Sequence, residues 1–427
     1  EKDGLIKVGR GKETLVLKKP YENYLESDTF KKRILSLIDL SKSLRLLSPA
    51  INLQGMYHMD LESELENPLP ENNRIGQWRT QYRLFDNSLS ALGNQTLHGL
   101  YHDINAFVES AFLDIFHVSF TEEEEKTYLN RLVNDYRTCL ENCKNGKMAE
   151  AKKGLEALTD PFHITAEQYL ATLPADRTIQ ENFSWSPQKG RTRYCDMIAI
   201  DLVRKINDGT HPAGTLLPNG AILANIYHVS PITIRRTISL LNKLGVAKTI
   251  NGVGTRVVSA ENAHLSDSLK AMILGNNLKT FLEAWQLFVI TSEPLIRHSF
   301  PHFPKELTDK LRQAATIAEP NVAISAITAS CLQGIVRYCP LASIREITSK
   351  LTLLLLNGSA IPHVKLTIDW NRGSKKLGKA LEAKDGDGFA FVFSRILNET
   401  FTIVKTHLKK MGVKNIERIA QPVMNDR

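Results

Sequence analysis

Apolar residues recur at three- and four-residue intervals along most of this chain, a spacing that lines one face of a helix and predicts a mainly α fold. Phe30, Ile34, Leu37, Ile38, Leu44 and Leu47 keep that spacing up to Ser48-Pro49, which reads as a helix end. A longer stripe passes through Leu97, Leu100, Tyr101, Ile104, Val108, Phe112 and Ile115. Thr121 followed by Glu124 has the form of a capping box, so the acidic run Glu122, Glu123, Glu124 and Glu125 reads as a helix N-terminus rather than a ligand site. Asn145-Gly146 ends that helix, and another follows through Met148, Ala151, Leu155 and Leu158. In the last third a helix over 278–289 runs into Glu293-Pro294.

The pattern changes between 187 and 259. A helix with Ile198, Leu202 and Ile206 inward ends at Gly209. The prolines and glycine of 211–218 forbid regular helix, and Asn219 then caps a short helix whose predicted buried residues are Ile222, Leu223 and Ile226. Ser230-Pro231 opens a further helix, because the hydroxyl accepts a backbone N–H and proline at the first position has no donor to waste. Ile234, Ile238 and Leu241 point inward, leaving Thr233, Arg235 and Arg236 outside that stripe, and Gly245 ends the helix. Residues 246–250 and 253–258 read as two strands joined at Asn251-Gly252, a strong hairpin signal. Two short helices followed by a hairpin describe a winged helix-turn-helix, which places the second helix in the major groove of DNA.

Charge sharpens this picture. Of the chain's net charge of +8, residues 187–259 carry +7, from ten basic and three acidic side chains, while the remainder has 44 basic against 43 acidic. A basic region of domain size is the footprint of polyanion binding. Lys248 and Arg256 on the wing strands suit phosphate or minor-groove contacts. The length of 427 residues implies several domains. Five cysteines, an odd number thinly spread, argue against a disulfide framework, and Cys139 and Cys143 read as core. No apolar run approaches membrane-spanning length, and no secretory leader is recognised, so a soluble cytoplasmic protein is expected.

The residues Leu217-Pro218-Asn219-Gly220, then Val229-Ser230-Pro231-Ile232-Thr233-Ile234-Arg235, Gly245, and Asn251-Gly252-Val253-Gly254-Thr255 with Val257 resemble the GntR-family DNA-binding domain in order and spacing. That resemblance implies a bacterial transcriptional regulator. It implies DNA contacts by Ser230, Thr233 and Arg235 on the recognition helix and by Asn251 and Gly252 in the wing. Pro231 stands where the family usually has a base-reading arginine, Gly220 where it has glutamate, and Ala221 where many members have a second arginine. These departures shift the expected binding towards phosphates.

The first residues lie over the wing at a constant offset of 241: Gly4, Lys7, Gly11, Thr14 and Val16 coincide with Gly245, Lys248, Gly252, Thr255 and Val257. Residues 1–19 therefore read as a second wing, with Arg10, Gly11 and Lys12 as further DNA contacts and a counterpart of roughly 48 residues expected upstream of Glu1. The expected organisation is a wing remnant at 1–19, an α-helical effector-like domain at 20–186, the winged helix at 187–259 and a second effector-like domain at 260–427. Phe85-Asp86 with Leu89 and Gly93-Asn94, and Gly146 with Ala151 and Leu155, faintly resemble the FCD effector domain of many GntR regulators. The positions matching that family's metal ligands hold Tyr82, Asp86, Tyr136 and Leu158, so no such metal site is expected; Tyr82, Asp86 and Tyr136 become candidate ligand contacts. His98 and His102, four apart beside an apolar stripe, lack identifiable metal partners, and His298, His302 and His363 have no ligand spacing.

These readings converge on a ligand-responsive transcription factor binding double-stranded DNA and a small-molecule effector, as a pseudo-dimer within one chain or as a homodimer. The alternative is an architectural or partner-binding DNA-associated protein that senses nothing. No Gly-rich phosphate loop, nucleophile elbow or alternating strand-helix pattern supports an enzyme, a cofactor or a membrane partner.

Overall fold

The computed structural model describes residues 6–7, 15–16, 24–60, 74–175, 179–187, 194–207, 209–258, 267–361, 364 and 366–424. Arg10, Gly11, Lys12 and His363 lie outside them. The described residues are mainly helical, with two separate two-stranded antiparallel sheets among them. In the first sheet β1 (Ile6–Lys7) pairs with β2 (Leu15–Val16), Ile6 opposite Val16 and Lys7 opposite Leu15.

Among the described residues six α-helices follow: α1 (Asp28–His58), α2 (Arg74–Ala91), α3 (Gln95–Val108), α4 (Ala111–Ser119), α5 (Glu122–Lys144) and α6 (Met148–Thr172). α1 packs along α6 and against α2, and α5 closes on α6. The capping box at α5 is complete: Thr121 Oγ1 accepts from Glu124 N, and Glu124 Oε2 accepts from Thr121 N. The long apolar stripe is divided, because Glu109 adopts φ 50° between α3 and α4.

After the winged helix come α10 (Asp267–Ser299), α11 (Lys305–Ala315), α12 (Pro320–Tyr338), α13 (Ala342–Leu355), α14 (Trp370–Glu382) and α15 (Gly386–Lys410). α10 packs along α15 as α1 does along α6. Both long helices continue through the prolines read as their ends, Pro49 in α1 and Pro294 in α10. An interior proline costs about 3 kcal/mol. Beyond Pro49, however, α1 buries Ile51, Leu53 and Met56, each worth about 1.5–3 kcal/mol, so burial outweighs the break.

The two sets of helices meet reciprocally. α1 packs on α10, α13 rests on α1, and α3 rests on α10. Asp39 of α1 accepts from the backbone N–H of Ala342 (2.7 Å) and Ser343 (2.6 Å) at the start of α13. Glu283 of α10 accepts from Thr96 N (3.2 Å) and Thr96 Oγ1 (2.7 Å) at the start of α3. Each carboxylate sits where a helix N-terminus attracts negative charge. One hydrophobic core runs through both sets and the winged helix, and a smaller one is built from α1, α2, α5 and α6. All five cysteines are buried thiols outside any disulfide. Among the described residues no helix is long and apolar enough to cross a membrane.

Candidate nucleic-acid interface and effector cavity

The basic segment folds as α7 (Tyr194–Asn207), α8 (Gly220–Tyr227), α9 (Pro231–Lys243), β3 (Ala247–Ile250) and β4 (Gly254–Val257). Local chemistry sets its boundaries. Gly209 is left-handed at φ 80°, Asn219 Oδ1 accepts from Ile222 N (2.9 Å), and Ser230 Oγ accepts from Thr233 N (3.4 Å) with Pro231 at the first helical position. α9 packs on α7 and α8. Its inward face is Ile234, Thr237 and Leu241, with Ile238 only half-buried. Thr237 satisfies its hydroxyl on the carbonyls of Cys195 and Thr233, both at 3.1 Å.

α8 corrects one expectation. Leu223 and Ala224 are its buried residues, whereas Ile222 and Ile226 are 48% and 53% exposed. A two-turn helix has a narrow inward face, and positions 222 and 226, one turn apart, lie outside it. The α7–α8 contact is polar: Asp201 accepts from Tyr227 OH (2.6 Å) and pairs with Lys205 (2.9 Å) and Arg204 (2.8 Å). Burial works against ionisation of Asp201, but the bonds from Tyr227, Lys205 and Arg204 prevail and bring its carboxyl down to about 2.

The wing has a three-residue turn, Asn251 to Val253, with Ile250 opposite Gly254, one residue longer than the Asn251-Gly252 signal implied. Gly252 at φ 75° and Gly254 at φ 134° supply the backbone it needs. The proline-rich segment adds an edge to this sheet: Leu217 N donates to Thr255 O and Val257 N donates to Thr215 O, both at 2.8 Å. Asn242 ties α9 to the wing, donating to Thr249 Oγ1 and accepting from Thr249 N, each at 2.8 Å.

Ser230, Arg235, Arg236, Lys248, Asn251, Gly252 and Arg256 are exposed, and Thr233 is half-buried. No carboxylate partner of Arg235, Arg236, Lys248 or Arg256 occurs among the described residues. Arg204 and Lys205, by contrast, are committed to Asp201. Sequence reasoning missed Ile232 and Val253. They are 54% and 53% exposed, at the first turn of α9 and the wing tip.

A second feature lies within the first set of helices, where a cavity of about 1140 Å³ is lined from α1 to α6. Tyr82 and Asp86 are on its wall, as are His98 and His102 of α3. Tyr136 is not. Its fully buried ring belongs to the smaller core, and its hydroxyl donates to Leu84 O at 2.7 Å. Periodicity could place Tyr136 on α5, but which neighbour it faced depended on packing. No group of three or more His, Cys, Asp or Glu able to hold a metal occurs among the described residues.

Residues 195–257 match the bacterial regulatory proteins of the gntR family. YhcF, an uncharacterized HTH-type transcriptional regulator of Bacillus subtilis strain 168, is 32% identical over 104 residues, 24% of this chain and 81% of YhcF. Among solved structures, Streptococcus agalactiae GntR has 17% identity and a TM-score of 0.21, over 49% of this chain and 99% of its own. A GntR-family regulator of Pseudomonas syringae has 17% identity and a TM-score of 0.23, over 51% and 89%. E. coli McbR/YncC has 17% identity and a TM-score of 0.22, over 51% and 99%. With a winged helix at the residues the family match covers, and a relative aligned over most of its own length, the chain belongs to the GntR family of bacterial regulatory proteins.

Proposed function

We propose that this GntR-family transcriptional regulator grips duplex DNA through Ser230, Thr233, Arg235 and Arg236 of α9 and Lys248, Asn251, Gly252 and Arg256 of the wing. The observation carrying this reading is the set of exposed cations, without carboxylate partners among the described residues, along one recognition helix and its wing. Arg235 and Arg236 suit the major groove, and Lys248 and Arg256 the phosphates beside it. Ile232, exposed at the first turn of α9, suits a thymine methyl.

We also read the chain as an internal pseudo-dimer. Shifted by 241 residues, the pairs Ile6–Val16 and Lys7–Leu15 of the first hairpin fall on Ala247–Val257 and Lys248–Arg256 of the second. The reciprocal α1–α13 and α10–α3 contacts support the same duplication. Arg10, Gly11 and Lys12 would then be wing contacts for a second half-site, read unequally with the first. The cavity is the effector site in this reading. α3 forms part of its wall and bonds at its N-terminus to Glu283 and Gln286 of α10, the helix that follows the winged helix. A ligand shifts DNA affinity only by favouring one arrangement of that contact.

The test is selection of a duplex from a random pool, followed by footprinting and a mass measurement on DNA. One chain covering both halves of an imperfect palindrome, spaced near a helical turn or a multiple, is expected. A second chain required for the other half contradicts the pseudo-dimer. Absence of any selected duplex contradicts the DNA-binding reading.

A further inference from the structure

The chemistry of the cavity wall restricts what it can hold. Arg79, its permanent cation among the described lining residues, is exposed at the edge. Glu109 is exposed and paired with Arg33 at 2.8 Å. His117 turns to Glu125 (3.1 Å), which also accepts from Trp78 Nε1. His163 is buried, with Nδ1 3.1 Å from Ser41 Oγ. Burial, with Arg45 nearby, pushes this imidazole down to about 4, so it is neutral near pH 7.

Asp86 and His98 are half-buried on the same wall and His102 is exposed, and the rest is largely aromatic and aliphatic. Trp78, Tyr128 and Phe162 line it and meet around Phe116, with ring centroids 5.6, 4.8 and 5.6 Å from that residue. Tyr82, Phe85 and Phe112 add further rings. Within this wall Gln81 Oε1 and the Tyr128 hydroxyl are buried with no hydrogen-bond partner among the described residues. Buried polar atoms are almost always bonded, so each marks a place where a partner is wanted. The volume of about 1140 Å³ exceeds the range of about 300–1000 Å³ typical of drug-sized ligands.

We propose that this cavity binds a neutral, largely aromatic molecule of two or more rings, whose few polar atoms bond to Gln81 and Tyr128. A small carboxylate would give up its hydration without gaining an enclosed cation, which the described wall residues do not offer. Flat rings extend the cluster of edge-on and tilted rings already built around Phe116. The proposal rests on reading the cavity as the effector site.

The test uses the full chain and N-phenyl-1-naphthylamine, a neutral fluorescent compound of three aromatic rings, a naphthalene and a phenyl, with one N–H. Saturable enhancement at one site per chain is expected, displaced by 2-naphthol at least about tenfold better than by 2-naphthoate. Leu158→Trp, which fills the cavity, is expected to abolish it while a cooperative melt is retained. Leu113→Trp, from a half-buried wall position, carries the same test if Leu158→Trp does not fold. Non-saturable binding, naphthoate displacing as well as naphthol, or undiminished binding in the folded variants overturns the proposal. Binding as described that leaves DNA affinity unchanged upholds the ligand class and removes the effector reading instead.

Discussion

Replacing Glu283 by glutamine tests how the two sets of helices are held together. The carboxylate is almost fully buried and spans the contact: Oε2 accepts from Thr96 Oγ1 at 2.7 Å and Thr96 N at 3.2 Å, and Oε1 lies 3.1 Å from Lys279 Nζ. Hydrogen bonds to charged groups contribute about 1.5–3 kcal/mol each. Glutamine keeps the shape and one acceptor, but its amide loses the charge and turns a donor towards Lys279 or Thr96. A loss of about 2–3 kcal/mol is expected from Glu283→Gln, and about 1–2 kcal/mol from Thr96→Val, which removes one of the two bonds. Because both changes act on the same bond, the double variant should fall short of their sum by at least about 1 kcal/mol. Urea unfolding followed by circular dichroism at 222 nm gives all four stabilities. Additivity within about 0.5 kcal/mol, or no loss for Glu283→Gln, would show that this bond does not couple α3 to α10.

His163 sets a pH dependence. Its folded-state value, about 4, lies below its ordinary 6.5, so its neutral burial stabilises the fold fully above pH 6.5, and stability declines as pH falls towards 4. The slope from this residue is at most about 1.4 kcal/mol per pH unit, and His163→Gln should flatten the melting-temperature profile across that window; an unchanged slope contradicts the assignment. Ile232 gives a prediction at the DNA face. Replacing thymine by uracil at one position of the selected duplex should weaken wild-type binding by about 0.8 kcal/mol, about fourfold, and leave Ile232→Ala unaffected. Equal losses in both proteins would separate Ile232 from the methyl group.

Much of the winged helix was legible because its signals are local. Gly209, Asn219 and Ser230-Pro231 act on their own few residues, and each does so in the fold. Burial was legible only where periodicity and packing agreed. Ile222 and Ile226 carry the same apolar signal as Leu223, and only the position of α9 separates them. Pro49 and Pro294 misled for a related reason, since local propensity opposes a helix that tertiary burial then sustains. The Asn242 clamp, the Glu283–Thr96 bond and the position of Tyr136 join residues whose proximity no spacing encodes. Of the candidate ligand site, Tyr82 and Asp86 were visible on one helix, whereas the rings that enclose it come from that helix and from four others, a convergence no local spacing encodes.

The central claim, that α9 and its wing hold duplex DNA, is tested most directly by titrating the selected duplex against wild type and Arg235→Ala across a range of salt. Affinity should fall steeply with salt for both proteins, because exposed arginine and lysine displace counterions from phosphates. At moderate salt the variant should bind more weakly by about 1–3 kcal/mol, roughly five- to 150-fold, with its melting temperature unchanged. Equal affinities together with a flat salt response would remove this helix and its wing from the interface.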